Sequence, residues 1–445
     1  MAFLSINDRA ARNSLSRSTR RAAAVASTLF ALSACSAPPT GSDVSALDAA
    51  QDERAPEDVA IDVSPPMDRP DVPPPMPDVA VDTPADQPVV VMGDNRVVQL
   101  SAGARHTCAL QARGTVYCWG DNGNGQLGDG TSRTTRRVPT LVMGLDDATQ
   151  IAAGSLFTCA LRRNGTVLCW GSNNNGELGG GAMGPERLVP GPVAGVEEAT
   201  RITAGSGHTC VIRRDETVLC WGWNRFSQVG DGTVDGFRRP TVVAGLGGVV
   251  QLDAGWSHTC ARLRDGAVRC WGHNDSGQVG DGTRVGRPSV ANVTGLRAAL
   301  DFACGEKRSV ALTAPDELWV WGRNETPARL DDPMPAPTRF GSFTAISQLA
   351  PGSGFTCVRL ESGRVQCWGR GALGSLGNGS NRDQLLPTDV AMLDDAVDVV
   401  AGDFHVCARR RSGSLACWGN NSDGQLGATT PASQSLVPVE VMPLP

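Results

Sequence analysis

Residues 102–130 read AGARHTCALQARGTVYCWGDNGNGQLGDG, and this stretch decides the fold. Two short apolar runs, 106–110 and 116–119, flank Ala112-Arg113-Gly114, a three-residue hairpin loop whose glycine takes the left-handed position. Val97–Ala102 alternates weakly ahead of them and predicts a strand, A; the two runs predict strands B and C. A glycine-rich loop over 122–131 leads to a fourth strand, D, over 139–143. The pattern then recurs. Its first glycine returns at Gly103, Gly154, Gly205, Gly255, Gly305, Gly352 and Gly402. A Trp-Gly pair follows each time, at Trp119, Trp170, Trp221, Trp271, Trp321, Trp368 and Trp418. A period of about 50 residues carrying four short antiparallel strands is one blade of a propeller. The sequence therefore predicts an all-β, seven-bladed β-propeller over residues 96–445, closed into a ring with no long open edge. No long run shows the 3.6-residue apolar period of a helix.

The cysteines fit the same hairpins. Of the 14, twelve form six couples ten residues apart: Cys108 with Cys118, Cys159 with Cys169, Cys210 with Cys220, Cys260 with Cys270, Cys357 with Cys367 and Cys407 with Cys417. A hairpin centred between two partners sets them opposite one another on strands B and C, within disulfide reach. The fifth repeat has Val310 and Val320 at both positions, so its two sulfurs are lost together, as a pair requires. The rival reading is a metal site, with His106 and Cys108 on one strand face and Cys118 opposite. Against it, the second and sixth repeats carry Phe157 and Phe355 at the His position and keep both cysteines. Six disulfides are expected, and with them an oxidising compartment. Cys304, at the Ala position of the fifth Ala-Gly, is expected to be a buried, inert thiol.

The repeat resembles the regulator of chromosome condensation family. The residues that carry the resemblance are Ala102-Gly103, His106-Thr107, Trp119-Gly120, Asn122 and the Gly-Gln-Leu-Gly at 125–128, with their counterparts in later repeats. The resemblance implies a seven-bladed propeller that binds another macromolecule through one face. The family's eukaryotic namesake exchanges guanine nucleotide on a nuclear GTPase, and a secreted bacterial relative inhibits β-lactamases. Fold alone does not choose among these activities.

The N-terminal fifth is a different kind of sequence. The chain is 19% charged, and its net charge of −6 sums three unlike regions. Residues 1–35 carry +4, residues 36–95 carry −11 and the repeats about +1. A near-neutral body lacks the basic footprint of a nucleic-acid binder. Arg9, Arg12, Arg17, Arg20 and Arg21 precede an apolar stretch over 22–34 that ends in Leu32-Ser33-Ala34-Cys35. This reads as an export signal and resembles a bacterial lipobox, in which family the cysteine, here Cys35, becomes the first mature residue and is acylated. An ordinary secretion signal cleaved near Ala37 is the alternative. No run of 18 apolar residues offers a transmembrane helix. Residues 36–95 hold 12 Pro, 13 acidic residues and no aromatic one, and predict a disordered, self-repelling spacer.

No serine-hydrolase elbow, phosphate loop or zinc-protease motif occurs, and no cofactor or metal site is expected. Asp121-Asn122-Gly123-Asn124-Gly125 falls short of a calcium loop, lacking its fifth ligand and its glutamate at position 12. Asp129-Gly130-Thr131 and Asp281-Gly282-Thr283 look like loop residues. His106, His208, His258 and His405 fill one repeat position and are expected to bond backbone at the A–B turn; His273 alone is free of the pattern. Departures from the repeat point to a binding face. Trp223, Phe226, Phe237, Arg238 and Arg239 enter the third C–D loop, and Trp256 enters the fourth A–B turn. Trp, Phe and Arg enrich protein-binding patches. The fifth repeat also shortens its C–D loop, over 324–330. The expected protein is an exported, lipid-anchored propeller that acts as a protein-binding or adhesion scaffold at a bacterial cell envelope. The alternatives are an inhibitor or regulator of an extracytoplasmic enzyme and, less so, an exchange factor.

Overall fold

The computed structural model describes residues 94–323, 332–429 and 432–445. The export signal, the lipidation at Cys35, nearly all of the spacer and the shortened loop over 324–330 lie outside the described residues.

In the first blade, β1 (Val97–Ala102), β2 (His106–Gln111), β3 (Val116–Asn122) and β4 (Thr134–Leu141) pair antiparallel in chain order. Six more four-stranded sheets follow, over 148–192, 199–242, 249–292, 301–340, 346–389 and 396–440. Each is built from consecutive strands. Strand A of every blade touches strand A of the next, and that of blade 7 meets β1, so the ring closes with no strand exchanged. Strand D begins earlier than the sequence suggests, at Thr134 rather than 139. The reason is a bulge: Cys118 faces Thr140 but Gly120 faces Arg136. Pro139 falls in that bulge, where the ladder needs no N–H.

All six expected disulfides close, and with the expected partners. Cys108 is bonded to Cys118, Cys159 to Cys169 and Cys210 to Cys220, each with Cα atoms 4.1 Å apart. Cys260 is bonded to Cys270, Cys357 to Cys367 and Cys407 to Cys417, at the same 4.1 Å. In every case the two cysteines face one another across the B–C ladder. Val310 faces Val320 in the same register. Cys304 is a buried free thiol.

The apolar core lies between blades. Trp119 of blade 1 packs with Cys407, Leu415 and Leu426 of blade 7, and Trp170 of blade 2 with Leu110, Val116 and Leu127 of blade 1. The seven repeated tryptophans are at most 1% exposed.

Each family motif proves to be one part of this junction. The indole N–H of Trp170 and the hydroxyl of Thr158 both donate to the carbonyl of Gln126 in the preceding blade, each at 2.9 Å. The Thr158 hydroxyl in turn accepts from His106 Nε2 at 2.9 Å. Thr158 spends its one proton on the carbonyl, so the imidazole must be the Nε2–H tautomer. The same triad recurs with His405, Thr107 and Gln425, with His208, Thr259 and Gln228, and with His258, Ser309 and Gln278. The expectation that these histidines bond backbone is therefore corrected: they bridge to the next blade's hydroxyl. Burial pushes His106, His208 and His258 down to about 3 and His405 to about 4, so all four are neutral. The imidazole also explains the recurrence of the first glycine. A Cβ on Gly103 would stand 2.3 Å from His106 Cε1 and 2.4 Å from the Gly154 carbonyl oxygen.

Between blades 5 and 6 the device changes. Arg308 replaces the histidine, and Trp368 is packed instead against Phe340 and Phe343, with ring centroids 5.0 and 5.6 Å away.

Candidate interaction face

One hydrogen bond fixes which loops share a face. The residue after each Trp-Gly donates its N–H to the carbonyl of the residue before the histidine position. The pairs include Asp121 with Arg105, Trp223 with Gly207, His273 with Ser257 and Arg323 with Lys307, at 2.8–3.0 Å. The A–B turns and the starts of the C–D loops therefore emerge together, as the sequence reading requires. Residues at one repeat position form concentric rings around the axis.

Two candidates stand at the junction of blades 3 and 4. Trp223 lies over Gly207 and meets Phe226 edge-on, with centroids 5.3 Å apart. Phe226, 37% exposed, lies against the ring of His273 at 4.3 Å. His273 thus joins the cluster, although it carried no assignment. Its signal was available, since it occupies the repeat position that Trp223 holds one blade earlier. Its Nε2 is 3.6 Å from Asp275, whose carboxylate also holds Lys307 of blade 5 at 3.1 Å. Burial holds the imidazole below its ordinary pKa, with the charge of Asp275 opposing.

The other candidates scatter. Phe237 pairs with Trp223 across the C–D ladder and leans on Gly176 of blade 2. Arg239 is exposed, its stem beside Gly181 of blade 2. Arg238 is not a free binding cation. It bridges Asp231 at 2.7 Å and Asp235 at 3.0 Å, bracing its own loop as Arg136 braces Asp129 and Arg287 braces Asp281. Trp256, 42% exposed, stands at the axial mouth rather than in the Trp223–Phe226–His273 cluster.

The polar loop residues are spent on the loops. Asp121 accepts from the Gly123 N–H and the Gln126 amide, and Asp129 from Thr131 and Arg136. His258, Cys260 and Cys304 bring ligand-type atoms within 4.8 Å of one another. There, however, Cys260 is tied to Cys270, His258 donates to Ser309, and burial pushes the Cys304 thiol far up. A neutral thiol, a disulfide and an engaged imidazole do not make a zinc ligand set.

What fold and face define is a ring of seven Trp-Gly repeats that presents its variation on one set of loops. Residues 75–332 match the RCC1-like domain, and residues 362–409 and 396–425 match the Regulator of chromosome condensation (RCC1) repeat. The chain belongs to this family. It is 33% identical over 141 residues to the Ultraviolet-B receptor UVR8 of Arabidopsis thaliana, a stretch covering 31% of this chain and 32% of that one. It is 31% identical over 160 residues to the probable E3 ubiquitin-protein ligase HERC6 of Homo sapiens, covering 35% and 16%. The matched stretch spans about a third or less of these relatives. Among solved structures, Prp20p of Saccharomyces cerevisiae, described with its binding to Gsp1p and histones, shares the fold. Its TM-score is 0.66 at 20% identity, over 79% of this chain and 88% of that one.

Proposed function

We propose that this chain is an exported scaffold, lipid-anchored through Cys35 at a bacterial cell envelope, whose propeller binds a protein through the face around Trp223, Phe226 and His273. The carrying observation is the aromatic cluster itself. Trp223 meets Phe226 edge-on, and Phe226 lies against the His273 imidazole across a blade junction. At the repeat position of Phe226 the first, second, fourth and seventh blades carry Asn124, Asn175, Ser276 and Asp423 and the sixth carries Leu373, and Phe226 stays over a third exposed. Aromatic anchors of this kind dominate binding energy at protein interfaces. Six disulfides favour an oxidising compartment, and among the described residues no helix is long and apolar enough to cross a membrane. Prp20p, with its described binding to Gsp1p and histones, supports a protein as the ligand of such a ring. The loop network is occupied by its own backbone, which favours binding over catalysis.

The test is capture from native envelope fractions with the full-length chain, beside a Trp223→Ala/Phe226→Ala variant of equal thermal stability. The expected result is a protein held by the first and lost by the second. Equal capture by both would remove the face from the reading. Fatty-acid labelling that survives Cys35→Ala would remove the anchor.

A further inference from the structure

The seven A–B turns converge on the axis and line an open cavity of about 90 Å³. Its wall includes bare main chain at Gly103 and its counterparts, where in six blades the His or Phe ring of the junction leaves room only for glycine; at Gly305 the side chain beneath is Arg308 instead. The residue after each glycine forms the rim. Blade 1 gives Ala104; the others give Ser155, Ser206, Trp256, Glu306, Ser353 and Asp403. The rim thus has two acids, one indole, three hydroxyls and no base.

Its acids are unequally served. One Glu306 oxygen receives the Ser353 hydroxyl at 2.8 Å and lies 3.6 Å from Arg323. The Asp403 carboxylate has no hydrogen bond or ion pair among the described residues. The cation that acts on it, Arg105, is itself 3.7 Å from Asp423. Burial and the facing Glu306 push Asp403 up to about 6, the mark of a carboxylate short of a counter-charge. Across the mouth, in blade 4, the Trp256 ring is 42% exposed, a wall suited to a cation.

We propose that this axial mouth is the anchoring pocket for one lysine or arginine side chain of the bound protein. The inference rests on the reading of the ring as a protein-binding scaffold and names what its centre recognises. The cavity is well below the few hundred Å³ of a small-molecule site, which suits the head of a single side chain. Two carboxylates and an indole face complement a cation, and the hydroxyls of Ser155 and Ser206, 2.9 Å apart, extend the polar rim.

The test is a nitrogen-15 NMR titration of the full-length chain, following the Trp256 indole signal, assigned with Trp256→Phe. The probes are Nα-acetyl-L-arginine amide, its neutral counterpart Nα-acetyl-L-norleucine amide, and calcium chloride. The expected result is a saturable shift with the arginine amide, half-complete on the order of millimolar. The neutral amide should give none, and Asp403→Asn should weaken binding about tenfold. No shift, an equal shift with norleucine amide or calcium, or an undiminished one in Asp403→Asn overturns the pocket. The Trp223→Ala/Phe226→Ala variant should bind the probe normally. Partner capture without probe binding would sink the pocket alone. Probe binding by a chain that captures no protein would sink the scaffold reading instead.

Discussion

His106, His208, His258 and His405 are wholly buried, and each donates Nε2–H to the next blade. Their native pKa values, about 3 to 4, lie below the 6.5 of a free imidazole. Below pH 6.5 the unfolded chain takes up protons that the native state refuses. Their stabilisation is therefore complete above 6.5 and is lost progressively as pH falls toward the native values. Asp253 and Asp403 oppose this. Raised from 3.8 to about 6, they take protons in the native state first and add stability between those values. Near pH 5 four imidazoles outnumber two carboxylates, so the unfolded state holds more protons. Each surplus proton is worth about 1.4 kcal/mol per pH unit. Calorimetry should show Tm falling between pH 7 and pH 4.5. His106→Phe, which copies Phe157 and Phe355, should fold and show a shallower fall; an unchanged slope would mean that the histidines do not titrate on unfolding.

At the scale of the element, each disulfide spans one B–C hairpin that backbone pairing already closes. The enclosed loop is about 11 residues, for which chain entropy gives about 2.8 kcal/mol as a ceiling. The fifth blade shows the substitute, Val310 facing Val320 with both buried. Replacing the bond between Cys159 and Cys169 by a valine pair, Cys159→Val with Cys169→Val, should therefore leave the chain folded. The loss in denaturant melts should be no more than about 2.8 kcal/mol. A serine pair at the same two positions should lose more, because it buries hydroxyls without designed partners. A valine pair that unfolds the chain would show that the hairpin needs its crosslink.

For the whole molecule, the decisive contact joins the two ends of the described chain. His405 of blade 7 donates to Thr107 of blade 1, Thr107 and Trp119 donate to the Gln425 carbonyl, and the Tyr117 hydroxyl donates to the Pro445 carbonyl. The first two bonds, at 2.9 and 3.1 Å, have the same kinds of partner as the His106–Thr158 junction, where both are 2.9 Å. Closure is then one more ordinary junction. A double-mutant cycle on His405→Phe and Thr107→Val should give a coupling of about 1 kcal/mol, equal to that between His106→Phe and Thr158→Val. A much smaller coupling at the first pair would mean that the ring is open in solution.

Much of this was legible in one dimension, because a repeat reports on itself. Period set the blade count, the ten-residue spacing with its paired loss at Val310 and Val320 set the disulfides, and the loop chemistry set the hairpins. These depend on residues near one another in sequence or on copies of one pattern. What the sequence left open depends on what lies one blade away. The histidines were placed at their own turn, whereas their partner is a hydroxyl some 50 residues on. Arg238 read as a surface cation, whereas Asp231 and Asp235 claim it. Trp256 read as a neighbour of Trp223, but its repeat position put it on the axis with Glu306 and Asp403. Ring closure brings one residue from each of seven distant segments to a common centre, and only the tertiary structure could decide that charge and aromatic surface would meet there.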